Sequence, residues 1–135
     1  MNDFNDTILL VGRILLAIIF VVSGAYKIAN FGGTVDQIAG KGLPLASFGA
    51  VLAIVVELGG GLSLALGYRT RSGAWLLFLF LIPTTLIFHN FWAFSGRQFQ
   101  MQMISFMKNL AIMGGLLVLT TVGSGRYSVI SSRER

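Results

Sequence analysis

The 135-residue sequence has no cysteine and few charged side chains. Without cysteine the chain has no disulfide, no thiolate metal site, no iron–sulfur cluster and no cysteine nucleophile. Charged residues make up 11% of the sequence, less than half of the ~25% usual in soluble domains. Hydrophobic residues make up 55%, and the mean hydropathy is +0.80. This composition excludes a disordered chain and a nucleic-acid partner, and it predicts one domain over residues 1–135 in contact with a lipid bilayer.

Long apolar runs predict the fold. A helix needs roughly 20 mostly apolar residues to cross the hydrocarbon core of a membrane. Four runs qualify or nearly qualify, and none alternates with the period of two that a membrane β-barrel requires. The predicted fold is therefore all-α, an integral membrane four-helix bundle with spans at about residues 7–26, 45–66, 73–88 and 104–122. Acidic residues precede the first run, so we expect a retained helix there rather than a signal peptide.

The basic residues fall mainly between the runs, where they act as topology signals. The net charge is +5. One side of the membrane receives the N-terminal segment, the turn at residues 67–72 and the tail after residue 122, with five basic residues, or six if Arg13 is counted. The other side receives three. The positive-inside rule then predicts that both termini are cytoplasmic, and the loops at residues 27–44 and 89–103 lie outside.

Every predicted span carries an ionisable residue within it or at its end. A charge at the centre of a spanning helix costs roughly 2.5–3.5 kcal/mol on insertion scales, so such residues usually face the bundle interior and pair. Glu57 lies twelve residues past Leu45, about 18 Å along a helix and near the middle of the membrane. We expect it to form the floor of a polar cavity in the outer half of the bundle. The predicted lining residues are Lys27, Glu57, His89, Lys108 and Asn109.

The residues of this predicted cavity also have simpler interpretations. Lys27 at a helix end is typical of an interfacial anchor, and His89 is followed by aromatic residues of the kind found at membrane interfaces. Lys108 and Glu57 are as well explained by a structural salt bridge as by a functional pocket. Arg13, the additional candidate, is near the inner end and can extend to the cytoplasmic headgroups. One histidine without neighbouring carboxylates does not predict a metal site. No catalytic residue is predicted, and enzymatic activity stays open.

Short motifs along the chain resemble the DoxX family over about Leu10 to Ser128. The similar segments, in order, are Arg13–Ala17, Ser23–Ile28, Gly33–Thr34, Gly42–Pro44, Glu57–Gly61, Leu66–Arg71, Phe88–Trp92, Phe106–Leu110, Gly114–Leu116 and Gly123–Ser128. The resemblance implies a DoxX-like four-helix, multi-pass protein of the bacterial inner (plasma) membrane. It also implies that the candidate site residues named above fall on recurrent polar positions of the family.

The resemblance further implies a redox context, because some members resemble subunits of thiosulfate:quinone oxidoreductases and others are linked to membrane oxidoreductase complexes. Three functions stay open. The first is a quinone-interacting or oxidoreductase-associated membrane subunit, with quinone as a non-covalent cofactor and an oxidoreductase as partner. The second is a non-catalytic scaffold that docks a redox enzyme. The third is a small transporter subunit, which would need a homo-oligomer.

Overall fold

A computed structural model describes residues 2–129, and all the regular elements in that range are helical. In chain order they are α1 (Asp3–Ala29), α2 (Phe31–Gly40), α3 (Ala46–Leu66), α4 (Thr70–Phe88), a 3-10 turn (Phe91–Ala93) and α5 (Gly96–Val122). Helices α1, α3, α4 and α5 are long and apolar enough to cross a membrane. The predicted all-α, four-helix membrane fold is therefore confirmed.

The cytoplasmic orientation of the termini stays a prediction. Two arginines of its charge count, Arg133 and Arg135, lie outside the described residues.

Three of the spanning helices begin earlier than their predicted spans, and α1 and α5 differ most. Helix α1 begins at Asp3, where the side chain of Asn2 accepts the backbone N–H of Asn5. A capping oxygen and an acidic first turn both stabilise a helix N-terminus. Helix α5 begins at Gly96, eight residues before the predicted span. These added turns are mostly polar, so the hydropathy of the sequence did not predict them as part of the span. Within them, the ring of Phe99 packs edge-on against Phe91 of the 3-10 turn.

Helix α2 lies beside the bundle and does not cross the membrane. It has ten residues and packs against α3. Only Thr34 and Ile38 are buried, one turn apart, and most of the remaining side chains are exposed. This one-sided burial is typical of an amphipathic helix at the membrane interface. The helix thereby covers the ends of the spanning helices near Lys27.

The spanning helices pack pairwise around one apolar core. Helix α1 packs most extensively on α3, α4 packs on α5 and α3 packs on α4. Of the neighbouring pairs of spanning helices, α1 and α5 have the least contact. Small residues allow the close approaches, as is usual inside membranes. A Cβ added at Gly60 would lie 2.5 Å from Cγ of Leu77, and one at Gly24 would lie 2.7 Å from Cγ of Leu58. The buried core residues are Ala17, Phe20, Leu64, Ala74, Leu77, Leu81, Leu116 and Leu119.

The two ends of the bundle differ in chemistry and are called the cavity end and the arginine end. The cavity end holds α2, the 3-10 turn and the first turns of α5. The arginine end holds the start of α1, the turn at residues 67–69 and the segment 123–129 that follows α5.

Candidate functional site

An ion pair between α1 and α3 forms the centre of the site. Nζ of Lys27 lies 2.9 Å from Oε2 and 3.0 Å from Oε1 of Glu57. Glu57 is eleven residues into α3, about 16 Å along the helix axis and near its middle. Its side chain is 7% exposed, and that of Lys27 is 24% exposed. The carboxylate is thus shielded from lipid by a basic side chain of the neighbouring helix, as the sequence predicted.

Ser23 completes this network from the same face of α1. It is one turn before Lys27, accepts a hydrogen bond from Nζ at 2.7 Å and donates to Oε1 of Glu57 at 3.3 Å. An ammonium group has three hydrogens, and these contacts use all of them. Ser23 is not among the site residues predicted from the sequence, although its spacing of four residues from Lys27 places both on one helix face.

Two cavities flank the ion pair at the cavity end. The larger, about 310 Å³, lies between α2, α3 and α4. The smaller, about 160 Å³, lies between α1, α4 and α5. Four polar residues line both of them: Lys27, Glu57, Thr84 and His89. The larger cavity adds Thr34, Gln37 and mostly apolar side chains, and the smaller adds Ser23, Asn109 and the apolar residues Ile19, Phe20, Leu81 and Ile112.

His89 and Asn109 are held in place by hydrogen bonds between α4 and α5. Nδ1 of His89 lies 2.9 Å from Oε1 of Gln102. In a neutral imidazole one ring nitrogen donates and the other accepts. Because an amide oxygen can only accept, this contact assigns the hydrogen to Nδ1 and leaves Nε2 as the acceptor. Nδ2 of Asn109 donates to Oγ1 of Thr85 at 3.0 Å. The sequence did not point to Gln102 or Thr85, because their roles depend on how α4 and α5 are rotated against each other.

Lys108 does not join this cluster, and its predicted place in the cavity and its predicted salt bridge with Glu57 are wrong. Its side chain is exposed, and it lines neither of the two cavities. The partner of Glu57 is Lys27 instead. One residue corresponds to about 100° of rotation around a helix, and α5 is turned so that Asn109 rather than Lys108 faces the bundle. The structure thus brings together Lys27, Glu57, His89 and Asn109 of the predicted set.

Arg13 is far from these cavities, at the arginine end, and does not extend to the headgroups as expected. It is 1% exposed. Its Nη2 donates to the backbone carbonyl of Tyr127, and its Nη1 lies against Gly67 in the turn between α3 and α4. Within residues 2–129, Nε and Nη1 have no hydrogen-bond partner. Arg13 therefore packs the segment after α5 onto the bundle.

A polar contact and an aromatic cluster close the cavity end. Nζ of Lys41, between α2 and α3, donates to Oδ1 of Asn90 at 3.0 Å and lies 5.8 Å from the ring centre of Phe94. The ring of Phe91 makes edge-on contacts with three neighbours, Trp92, Phe99 and Phe106. These contacts join the two loops directly beside His89.

These features define a class: a small multi-pass membrane protein with an ion pair buried between helices and cavities at one end. Comparison with known proteins gives the family. The DoxX family profile matches residues 8–90, and the chain belongs to the DoxX family. The predicted DoxX-like resemblance is thereby confirmed. The predicted multi-pass inner-membrane localisation is confirmed by the four spanning helices together with two inner-membrane relatives.

Two relatives come from Escherichia coli strain K12. The chain is 36% identical to inner membrane protein YqjF over 129 residues, which cover 96% of this chain and 94% of that protein. It is 34% identical to inner membrane protein YphA over 125 residues, which cover 93% of this chain and 89% of that protein. It is also 28% identical to the yeast ER-derived vesicles protein ERV29, over 99% of this chain but 37% of that protein. No solved structure shows significant similarity to the chain.

Proposed function

We propose that this protein is a quinone-interacting membrane subunit that works with an oxidoreductase partner. A lipid-soluble quinone combines a ring that carries polar oxygens with apolar substituents. It therefore needs an apolar slot inside the membrane and a few polar groups that fix the ring. The observation that carries the proposal is the placement of a buried ion pair, a histidine and an asparagine around cavities with apolar walls.

The smaller cavity has the size of a single ring. Its volume is about 160 Å³, and an engineered protein cavity of about 150 Å³ is known to hold benzene. Its polar wall is formed by Ser23, Lys27, Glu57, Thr84, His89 and Asn109. Its apolar wall includes Ile19 of α1 and Ile112 of α5, which belong to the least tightly packed of the neighbouring pairs of spanning helices. We therefore place the ring in the smaller cavity, with its substituents directed to lipid between α1 and α5.

Electron transfer in this proposal requires a second protein. The chain has one histidine and no cysteine, so it has neither two axial histidines for a haem nor thiolates for a cluster. The protein's own contribution is to bind and orient the ring in the membrane, and an oxidoreductase partner supplies or removes the electrons.

Quinone titration of the protein in lipid nanodiscs tests this function. In a Trp75→Phe background, Trp92 in the 3-10 turn beside His89 reports quenching by a short-chain benzoquinone. Filling the smaller cavity by Ile112→Phe is expected to weaken binding about tenfold or more, a loss of ~1.4 kcal/mol.

Two further variants locate the ring. Ile104→Phe makes the same change on α5 at a side chain that is 56% exposed, and it should leave binding unchanged. Ala53→Leu fills the larger cavity, which Ala53 lines. A loss of binding in Ala53→Leu but not in Ile112→Phe would move the ring to the larger cavity. If the protein with an unsubstituted cavity shows no saturable binding of the benzoquinone, the proposed function is refuted.

The ion pair itself favours a second function, a non-catalytic scaffold that docks a redox enzyme. It joins α1 to α3, the pair of helices with the most extensive packing, and a buried polar pair can fix how two helices align. In that case Lys27→Met and Glu57→Leu would change the stability of the bundle. Crosslinking in native membranes would still recover a stoichiometric partner protein, and quinone would not bind.

A further inference from the structure

The smaller cavity presents mainly hydrogen-bond acceptors, and this bears on which redox form of a quinone it binds. Resting on the proposed function, we propose that the cavity prefers the hydroxyl-bearing quinol over the quinone and that Nε2 of His89 accepts a quinol O–H. A quinone oxygen can only accept hydrogen bonds, whereas a quinol hydroxyl donates one as well. The two forms therefore require opposite partners from the protein.

The donors at the ion pair are already used within the protein. The three hydrogens of Nζ of Lys27 go to Ser23 and to both carboxylate oxygens of Glu57. The hydroxyl of Ser23 donates to Oε1 of Glu57, and that of Thr84 donates to the backbone carbonyl of Phe80 at 2.8 Å. None of these hydrogens is free for a ring carbonyl.

The acceptors are in contrast available. Each carboxylate oxygen has two lone-pair sites, and the contacts to Lys27 and Ser23 leave part of this capacity on Glu57. Nε2 of His89 keeps its lone pair because Nδ1 donates to Gln102. Oδ1 of Asn109 is likewise an acceptor at the cavity. Among the described lining residues, the polar side-chain hydrogen left over is one N–H of Asn109, whose other N–H goes to Thr85.

A quinol fits this set better than a quinone does. One hydroxyl can donate to Nε2 of His89 while an oxygen of the ring accepts from Asn109. A quinone would place its carbonyl oxygens against lone pairs, and buried polar groups without a hydrogen-bond partner weaken binding. Gln102 is a positioning residue here, since it fixes the hydrogen on Nδ1 and touches the ligand nowhere.

A redox titration of bound short-chain benzoquinone in nanodiscs measures the preference directly. We expect the quinol to bind about tenfold more tightly, which raises the midpoint potential of the bound couple by about 30 mV. His89→Leu removes the acceptor, and Gln102→Leu releases the fixed hydrogen, so both should reduce the shift. Gln100→Leu makes the matched change at an exposed position of the same helix and should preserve it.

A redox-inert ligand pair provides the second measurement. The monomethyl ether of hydroquinone donates one hydrogen bond, whereas the dimethyl ether of the same ring donates none. We expect the monomethyl ether to bind more tightly to the unsubstituted protein and its advantage to disappear in His89→Leu.

The outcomes separate the two proposals. Equal binding of quinone and quinol, or a preference for quinone, would overturn the inference and leave the proposed function standing. A preference that persists in both His89→Leu and Gln102→Leu would overturn the assigned role of His89. Absence of binding for either form would overturn the proposed function and the inference together.

Discussion

The ion pair between Lys27 and Glu57 makes an asymmetric prediction for stability. In Lys27→Met the carboxylate remains, with a side chain that is 7% exposed. Removing one partner of a buried pair typically costs about 3–5 kcal/mol, because the other charge is left uncompensated. In Glu57→Leu the ammonium remains, but Lys27 is 24% exposed at the end of α1. It can turn toward the interface, so the cost falls to about 1.5–3 kcal/mol, that of a lost charged hydrogen bond.

The double variant Lys27→Met/Glu57→Leu tests the reasoning most sharply. It leaves no charge uncompensated, and replacing both partners of a buried pair by apolar residues is often neutral or stabilising. We therefore expect the double variant to be more stable than Lys27→Met alone. Since the double variant should cost less than Lys27→Met alone, the coupling energy between the two positions should be at least as large as the cost of Glu57→Leu, about 1.5–3 kcal/mol. This value lies in or above the upper part of the range of about 0.5–3 kcal/mol that is usual for residues in contact.

Unfolding by sodium dodecyl sulfate in mixed micelles, followed by far-UV circular dichroism, gives the free energy of unfolding of each variant. Lys108→Met is the matched control, since Lys108 is exposed, and its effect should be within about 0.5 kcal/mol. Additive costs in the double variant, or a cost of Lys27→Met no larger than that of the control, would refute the pairing.

Three further predictions concern other contacts of the bundle. Gly60→Ala should lower the free energy of unfolding by about 1–3 kcal/mol, because its Cβ would overlap a leucine of α4. Gly59→Ala is the control: its Cβ meets open space, so this variant should be neutral or stabilising in the same unfolding assay. Asn109→Ala should cost about 1–3 kcal/mol, because it leaves a buried threonine hydroxyl of α4 without its donor; an effect no larger than that of Lys108→Met would contradict the observed rotation of α5. Arg13→Met should speed amide hydrogen exchange in the segment after α5, whose backbone carbonyl loses a buried donor; unchanged exchange would contradict its packing role.

Helix rotation explains why the structure brings together only part of the predicted residue set. Arg13, Ala17, Phe20 and Gly24 recur at spacings of three and four residues on one face of α1, and all four are buried. A continuous run of apolar residues on α5 does not distinguish Lys108 from Asn109, because lipid and a bundle interior are both apolar solvents. Hydropathy therefore predicted that α5 is a spanning helix but not which of its faces points into the bundle.

The sequence by itself determined that the chain crosses the membrane four times and that Glu57 needs a partner inside the bundle. Both follow from transfer free energies, which depend on composition and length and not on neighbours. Only the tertiary structure decided that the partner is Lys27, that Ser23 and Gln102 complete the network, and that Arg13 supports the other end. Those choices depend on the rotation and separation of packed helices, which small residues such as Gly24 and Gly60 set through close contacts.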